Sequence, residues 1–484
     1  MYAILTFATL LPWLSYMFQG NIGLSLWDEG FLWYGAQRVM MGEVPLLDFQ
    51  AYDIGRYYWA AGIMSTLGSK GILALRISNA VLLSMSMLTA VYLIIRKIPK
   101  VSIFDFLLIS ISFIFWMTPD YKAADFFASI ILIFALSYTI ERPSNGRYFI
   151  TGIVVGIAAI LGRNHGVYGA AGSLGGIAYL TWRHAGPRPM KAVLSWGSGV
   201  IIGYLPMLLA LALIPGFWGA FLTSLKVMVG NLALPVPRSW IVLPCFALIC
   251  TGQLFAKRQT DDTQLNPVFV SSTLLMFPYI HYAFSRADPY HLAFGIFPLV
   301  IGCITFPVRI SSRTRHILVI LLFLVSIRAM LPLQPFRSNW SQKVTVIGDT
   351  LKVSTSTVTM VSLLTSLSTQ YAANGRYFLA APFMPGAYAV LGQKSPVFEI
   401  YALLPRNELF QQTEISRIKS ADIGFAIIND TILDGRKDLL YASTHPLMER
   451  YVRESFQPLK EVGIPPKIRV FLNARANGGI DLKK

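Results

Sequence analysis

Long apolar runs return again and again between residues 2 and 333 of this chain. A run of about 18 or more apolar residues has one single-segment solution, a membrane-spanning helix, because hydrocarbon offers no outside partner for backbone N–H and C=O groups. Eleven runs are read as spans, at 2–18, 71–95, 101–118, 124–140, 148–162, 166–182, 191–214, 239–256, 267–284, 290–308 and 316–333. Composition agrees: 54% of the residues are hydrophobic and 13% charged, where a soluble chain carries about 25% charge. From residue 334 the pattern changes to a polar, mixed sequence without a spanning run, long enough for its own core. The expected architecture is a polytopic α-helical membrane domain over 1–333, with about eleven transmembrane helices, followed by a separate C-terminal α/β domain over 334–484.

Lys and Arg set the expected orientation. With the N-terminus inside, five short cytoplasmic loops hold thirteen basic residues: Arg96, Lys97, Lys100; Arg142, Arg147; Arg183, Arg188, Lys191; Lys257, Arg258; Arg309, Arg313 and Arg315. The opposite loops after the first hold scattered single basics, Lys122, Arg163, Lys226, Arg238 and Arg286, and an odd number of spans exports the C-terminal domain. The net charge of +17 is therefore an orientation signal. A nucleic-acid partner is not expected, since the basics do not gather on one soluble face. The partner that composition demands is the lipid bilayer. The first span has no basic n-region and no cleavage motif, so it is expected to remain as an anchor. Cys245, Cys250 and Cys303 all fall in expected spans, which leaves the exported domain without a disulfide framework or thiolate metal site.

Chemistry is expected in the long first outside loop, about 19–70. It opens with Trp27-Asp28-Glu29-Gly30. Adjacent carboxylates at a membrane boundary are costly to desolvate, and they either mark the helix exit or do work there. Residues 31–40 carry apolar side chains at helical spacing, which predicts a helix along the interface with an aromatic face. Gly42-Glu43-Val44-Pro45 then makes a turn, followed by Asp48-Phe49, Asp53 and Arg56. Three further clusters lie at outside ends of spans: Asp120-Tyr121-Lys122 with Asp125, Arg163-Asn164-His165, and Arg286-Ala287-Asp288-Pro289-Tyr290-His291. The plainer readings are a solvated turn for the first and mutual pairing of Arg286 and Asp288 for the last. The candidate acids are thus Asp28, Glu29, Asp48, Asp53, Asp120, Asp125 and Asp288.

An acid pair after the first helix, an aromatic and Ala-rich stretch, a Gly-x-x-Pro and an Asp-Phe together resemble the first periplasmic loop of the GT-C glycosyltransferases. The nearest branch is the bacterial one related to protein O-mannosyltransferases and lipid A aminoarabinose transferases. The motifs cover roughly residues 1–140, and the remainder matches by architecture alone. The resemblance implies an inner-membrane enzyme that moves a sugar from a polyprenyl-phosphate carrier, with inversion, to a glycan, lipid or protein outside the cytoplasm. It implies Asp28 as the base, with Glu29 supporting it, and a basic residue of the second outside loop, here Lys122, at the carrier phosphate.

Such a reaction asks for a carboxylate to take the acceptor's proton, cations to stabilise the leaving phosphate, and an apolar groove for the prenyl tail. Lys122, Arg163, His165, Arg286 and His291 are the candidate phosphate ligands, and Arg286 is favoured because guanidinium binds phosphate oxygens in pairs. Asp53, Arg56, Asp120, Tyr121 and Asp288 are expected to line the site. No cofactor is expected. GT-C enzymes exist with and without a divalent cation, and the scattered acids after the first loop favour working without one. Two other classes fit the span pattern, an O-antigen-ligase-like transferase using a polyprenyl-diphosphate donor and a lipid or sugar transporter. The first would rely less on the acid pair, and the second would carry charges mid-span and inverted repeats.

In the exported domain, strands are expected at 343–347, 376–380, 423–428 and 468–472, with helices at about 356–372, 406–419 and 444–455. The segments 382–386 and 434–436 read as turns.

Overall fold

A computed structural model describes residues 2–97, 102–228, 266–284, 289–306, 311–338, 340–460 and 464–473. The chain divides into two units: residues 1–20, 53–56 and 76–337 form one, and residues 21–52, 57–75 and 338–484 the other.

The first unit is helical, and its described helices fall on the apolar runs. Tyr2–Gln19, Ile72–Lys97, Ile103–Trp116, Ala123–Glu141, Asn145–Leu161, Arg163–Trp182, Pro267–Phe284 and Ser312–Met330 each match one expected span. The run 191–214 is realised as two helices, Pro189–Gly203 and Leu205–Leu213, bent by 56° at Tyr204. Pro206 at the start of the second helix has no N–H to continue the ladder, which accounts for the break. The run 290–308 is split likewise into Pro289–Gly295 and Phe297–Ile304, with Pro298 in the first turn of the second. The run 239–256, with Cys245 and Cys250, lies outside the described residues. Among the described residues three helices are individually long and apolar enough to cross a membrane, Ile72–Arg96, Asp120–Glu141 and Ser312–Leu333, and the bent pair makes a fourth if it is one span. The last of the three exposes Ile317, Leu318, Leu321, Leu324 and Val325, an apolar surface of the kind that lipid covers.

The second unit contains a four-stranded sheet of β3 (Tyr377–Ala381), β4 (Ile423–Asn429), β5 (Phe456–Leu459) and β6 (Ile468–Asn473), in the order β3-β4-β6-β5. β3 and β4 run parallel, and β6 is antiparallel to both its neighbours. All seven residues of β4 are buried, the continuous apolar run of a strand covered on both faces. The helix Thr355–Tyr371 starts on the Ser354 side chain, which accepts from Thr357 N, and Glu408–Ser420 starts on Asn407, which accepts from Phe410 N. β1 (Gln342–Val346) and β2 (Asp349–Val353) form a hairpin around Ile347-Gly348, both at positive φ. That turn type matches the twist of the two strands. The first-loop segment adds to this hairpin: Gly23 N donates to Lys352 O and Lys352 N to Asn21 O, each at 2.8 Å.

The helix of the acid motif, Asp28–Met40, departs from the interfacial placement its aromatic face suggests. Every residue from Glu29 to Arg38 is buried. Its aromatics are the core of the second unit: Phe31 packs on Tyr52, Tyr57 and Tyr401, and Tyr34 on Phe49 and Tyr388. Trp33 Nε1 donates to Lys70 O at 2.8 Å, and Ser395 N donates to Tyr34 Oη at 3.0 Å. Burying these rings among other rings removes more apolar area from water than resting them on a membrane surface would. The helix approaches Pro385–Leu391 so closely that a Cβ at Gly30 would stand 2.6 Å from Gly386 Cα.

Candidate active site

In the second unit, Asp28 and Glu29 sit in the first turn of their helix, where the helix dipole favours negative charge. Asp28 is half-buried, and Tyr401 Oη donates to its Oδ1 at 3.0 Å. Among the described residues Tyr401 is the hydrogen-bond partner of this carboxylate, and its Oδ2 is left for another donor. Glu29 is 4% exposed, and its Oε2 accepts from Ser25 N at 3.3 Å. It therefore holds the turn that leads into the helix. Asp48 is also used locally, accepting from Val44 N at 2.7 Å. Glu43 closes the Gly-x-x-Pro turn with Arg38 and with Lys394 at 2.6 Å. Burial pushes the Glu43 carboxyl up, but its hydrogen bonds from Arg38 and Lys394 outweigh this and hold it below the ordinary value.

In the first unit, three of the sequence clusters converge. Arg163 Nε donates to Asp53 Oδ1 at 2.7 Å, and its Nη1 to Ser224 Oγ at 2.9 Å. Arg56 reaches both oxygens of Asp125, at 3.3 and 3.4 Å, lies 3.8 Å from Asp53 Oδ2, and donates to Leu161 O at 3.0 and 3.2 Å. His165 Nε2 is 2.9 Å from Asp125 Oδ1, its Nδ1 is 2.6 Å from Tyr279 Oη, and Tyr282 Oη donates to Asp125 Oδ1 at 3.1 Å. Tyr168 Oη meets His281 Nδ1 at 3.0 Å. The tightness of the 161–163 junction explains the convergence: the helix Asn145–Leu161 ends and Arg163–Trp182 begins across the single residue Gly162. That break frees the Leu161 carbonyl for Arg56 and aims Arg163 and His165 inward.

This geometry changes the reading of two residues. His165 is 1% exposed with both ring nitrogens engaged, so it orients Asp125 and offers no nitrogen to a phosphate. Arg56 neutralises Asp125 from a buried position. Asp120, Tyr121 and Lys122 form a half-buried 3₁₀ turn ahead of Ala123–Glu141. Lys122 Nζ stands 5.1 Å from the Phe294 ring centroid, and His291 packs on the same ring. Phe294 in turn contacts Tyr282, which links Lys122 and His291 to the Asp125 cluster. Arg286 and Asp288 lie outside the described residues. Among the described residues no three His, Cys, Asp or Glu side chains converge as a metal ligand set.

Sequence reasoning did not single out Tyr401, Tyr168, Tyr279, Tyr282 or Ser224. Tyr279-Ile280-His281-Tyr282 did carry a signal, three polar-tipped rings within one expected span. Tyr401 carried none.

No protein-family model matches the sequence, and no curated protein matches it. Solved structures do. The chain is similar to ArnT from Cupriavidus metallidurans, solved bound to undecaprenyl phosphate, with a TM-score of 0.56, 10% identity, and 97% of each chain covered. It is also similar to the archaeal oligosaccharyltransferase AglB from Archaeoglobus fulgidus, solved with an inhibitory peptide and a dolichol-phosphate. There the TM-score is 0.51 at 11% identity, covering 100% of this chain and 75% of that one. At these identities the likeness speaks for the fold alone.

Proposed function

We propose that this protein is a glycosyltransferase that takes a sugar from a polyprenyl-phosphate carrier and passes it, with inversion, to an acceptor outside the cytoplasm. The reading is supported by the GT-C fold and by two neighbours of that fold whose structures hold polyprenyl phosphates. The observation that carries it is Asp28, a first-turn carboxylate that, among the described residues, is fixed through one oxygen. In the proposed step the acceptor hydroxyl oxygen attacks the anomeric carbon as its proton passes to Asp28. The bond from that carbon to the phosphate oxygen breaks, and its electron pair leaves with polyprenyl phosphate. Glu29 holds the turn before the base. Lys122, Arg163, Arg286 and His291 are assigned to the phosphate charge, while His165 is reassigned to positioning Asp125. Asp53, Arg56, Asp120 and Tyr121 are assigned to the lining of the polar region, and so is Asp288, on its sequence position alone.

The enzyme is proposed to sit in the bacterial inner membrane with residues 334–484 outside the cytoplasm, and to turn over without a divalent cation. The test is sugar transfer by the purified protein from a panel of polyprenyl-phosphate sugars, with Asp28→Asn alongside and with and without chelator. Wild type releases polyprenyl phosphate in both lanes, and Asp28→Asn falls by about 10²–10⁴-fold, the range of a lost general base. Full turnover by Asp28→Asn removes the base assignment. Release from diphosphate donors alone moves the protein to the ligase-like class.

A further inference from the structure

We propose that Tyr401 is a positioning residue for the catalytic carboxylate: its phenol fixes Asp28 through Oδ1 so that Oδ2 receives the acceptor's proton. The inference rests on Asp28 being the base. An ionised carboxylate only accepts hydrogen bonds, so the Tyr401 hydroxyl is the donor of the 3.0 Å contact. One donor on one oxygen removes the rotation that a first-turn Asp otherwise retains, and it marks the other oxygen as the one that faces an incoming hydroxyl. The contact also survives the chemistry, since Oδ1 of a carboxylic acid protonated on Oδ2 still accepts from the phenol.

Tyr401 is held with more care than a loop residue tying two segments together requires. It is 6% exposed, its ring lies between Phe31 and Phe383 at centroid distances of 5.3 and 5.4 Å, and Gln50 clamps its backbone from both sides. Tyr401 N donates to Gln50 Oε1 at 2.8 Å, and Gln50 Nε2 donates to Tyr401 O at 3.1 Å. The neighbouring residues are pinned as well. The buried Glu399 carboxylate takes Arg406 at 2.6 Å and His445 Nε2 at 2.8 Å, and Glu399 N donates to Glu414 at 3.1 Å. On either side, Gln50 N donates to Phe398 O at 3.0 Å and Ala402 N to Pro382 O at 2.9 Å. Buried ionic groups cost desolvation, and here their effect is to hold one short segment, 398–402, from which Tyr401 reaches Asp28. The C-terminal part of the chain thereby contributes to the catalytic group itself.

Tyr401→Phe keeps both ring contacts and removes only the hydroxyl. In full-length protein in lipid nanodiscs, kcat is expected to fall by about tenfold to a hundredfold, as for a reacting group left loosely placed. The donor KM and the Kd for polyprenyl phosphate stay within about twofold of wild type, the signature of a group acting in the transition state. The thermal midpoint stays within about 2 °C. An unchanged kcat overturns the inference, and so does a fall in kcat matched by a fall in midpoint or a rise in KM. Asp28→Asn is measured alongside. If it turns over at the wild-type rate, the base assignment beneath the inference fails; if it is inactive while Tyr401→Phe is not, the Tyr401 inference alone fails.

Discussion

At Asp125 one carboxylate meets a guanidinium, an imidazole and a phenol, from Arg56, His165 and Tyr282. None of these groups is stable alone where it sits. Removing the acid takes from the 8%-exposed Arg56 the carboxylate it holds at 3.3 and 3.4 Å. Breaking one side of such a buried pair costs about 3–5 kcal/mol, because the remaining charge is uncompensated. Asp125→Ala is therefore expected to lower the thermal midpoint of the purified protein sharply, read by unfolding in detergent or nanodiscs. A loss below about 1 kcal/mol, the size of an exposed pair, would mean that Arg56 has a second way to be neutralised. Glu29 and Asp28 make the contrasting case: adjacent in sequence and alike in chemistry, one is buried in a turn and the other is offered outward.

The elements that matter most are short and touch through backbone. Asp28–Met40 and Pro385–Leu391 meet where both present glycine, Gly30 and Gly386. A Cβ at Gly386 would stand 2.7 Å from Leu26 Cα, closer than real Cβ contacts come, so any side chain must push the acid-bearing helix away. Gly386→Val is expected to cost about 1–3 kcal/mol by overpacking. It is also expected to reduce turnover, since the displacement moves Asp28 off Tyr401. The check is kcat beside the thermal midpoint, and wild-type values for both would show that the two helices can part freely.

For the molecule as a whole, the consequential fact is that residues 21–52 and 57–75 belong with 338–484 although about 260 residues separate them in the chain. Two aromatic side chains of the acid-motif helix, Phe31 and Tyr34, have partners among residues made last. A chain ending at residue 337 would leave Tyr34 without Tyr388 and Phe31 without Tyr401. Such a truncation is expected to insert its spans, lose transfer entirely, and become cleavable by protease within 21–75, sites that the full chain protects. Protection in the truncated protein equal to wild type would show that the first loop folds without the C-terminal part.

Much of the architecture was legible in the sequence because it rests on local physics. The cost of an unsatisfied backbone in lipid makes 71–95 or 316–333 a helix whatever surrounds it, and the run 423–428 reads as a strand by its own pattern. The helices expected at 356–372 and 406–419 are realised as Thr355–Tyr371 and Glu408–Ser420, each started by a cap that bonds three residues away. Asp28 stood out through its desolvation cost, and Arg163 with His165 through a turn too short to need them. The tertiary structure decided the rest. It broke 191–214 at Tyr204, drew the helix at 28–40 from an expected membrane surface into a core, and set the His165 ring nitrogens against Asp125 and Tyr279. It also brought Tyr401 to Asp28 across 373 positions of sequence. Periodicity and propensity describe what a segment does alone, whereas a hydrogen bond between distant side chains depends on how whole elements pack, and no residue near Tyr401 records that it will face an acid.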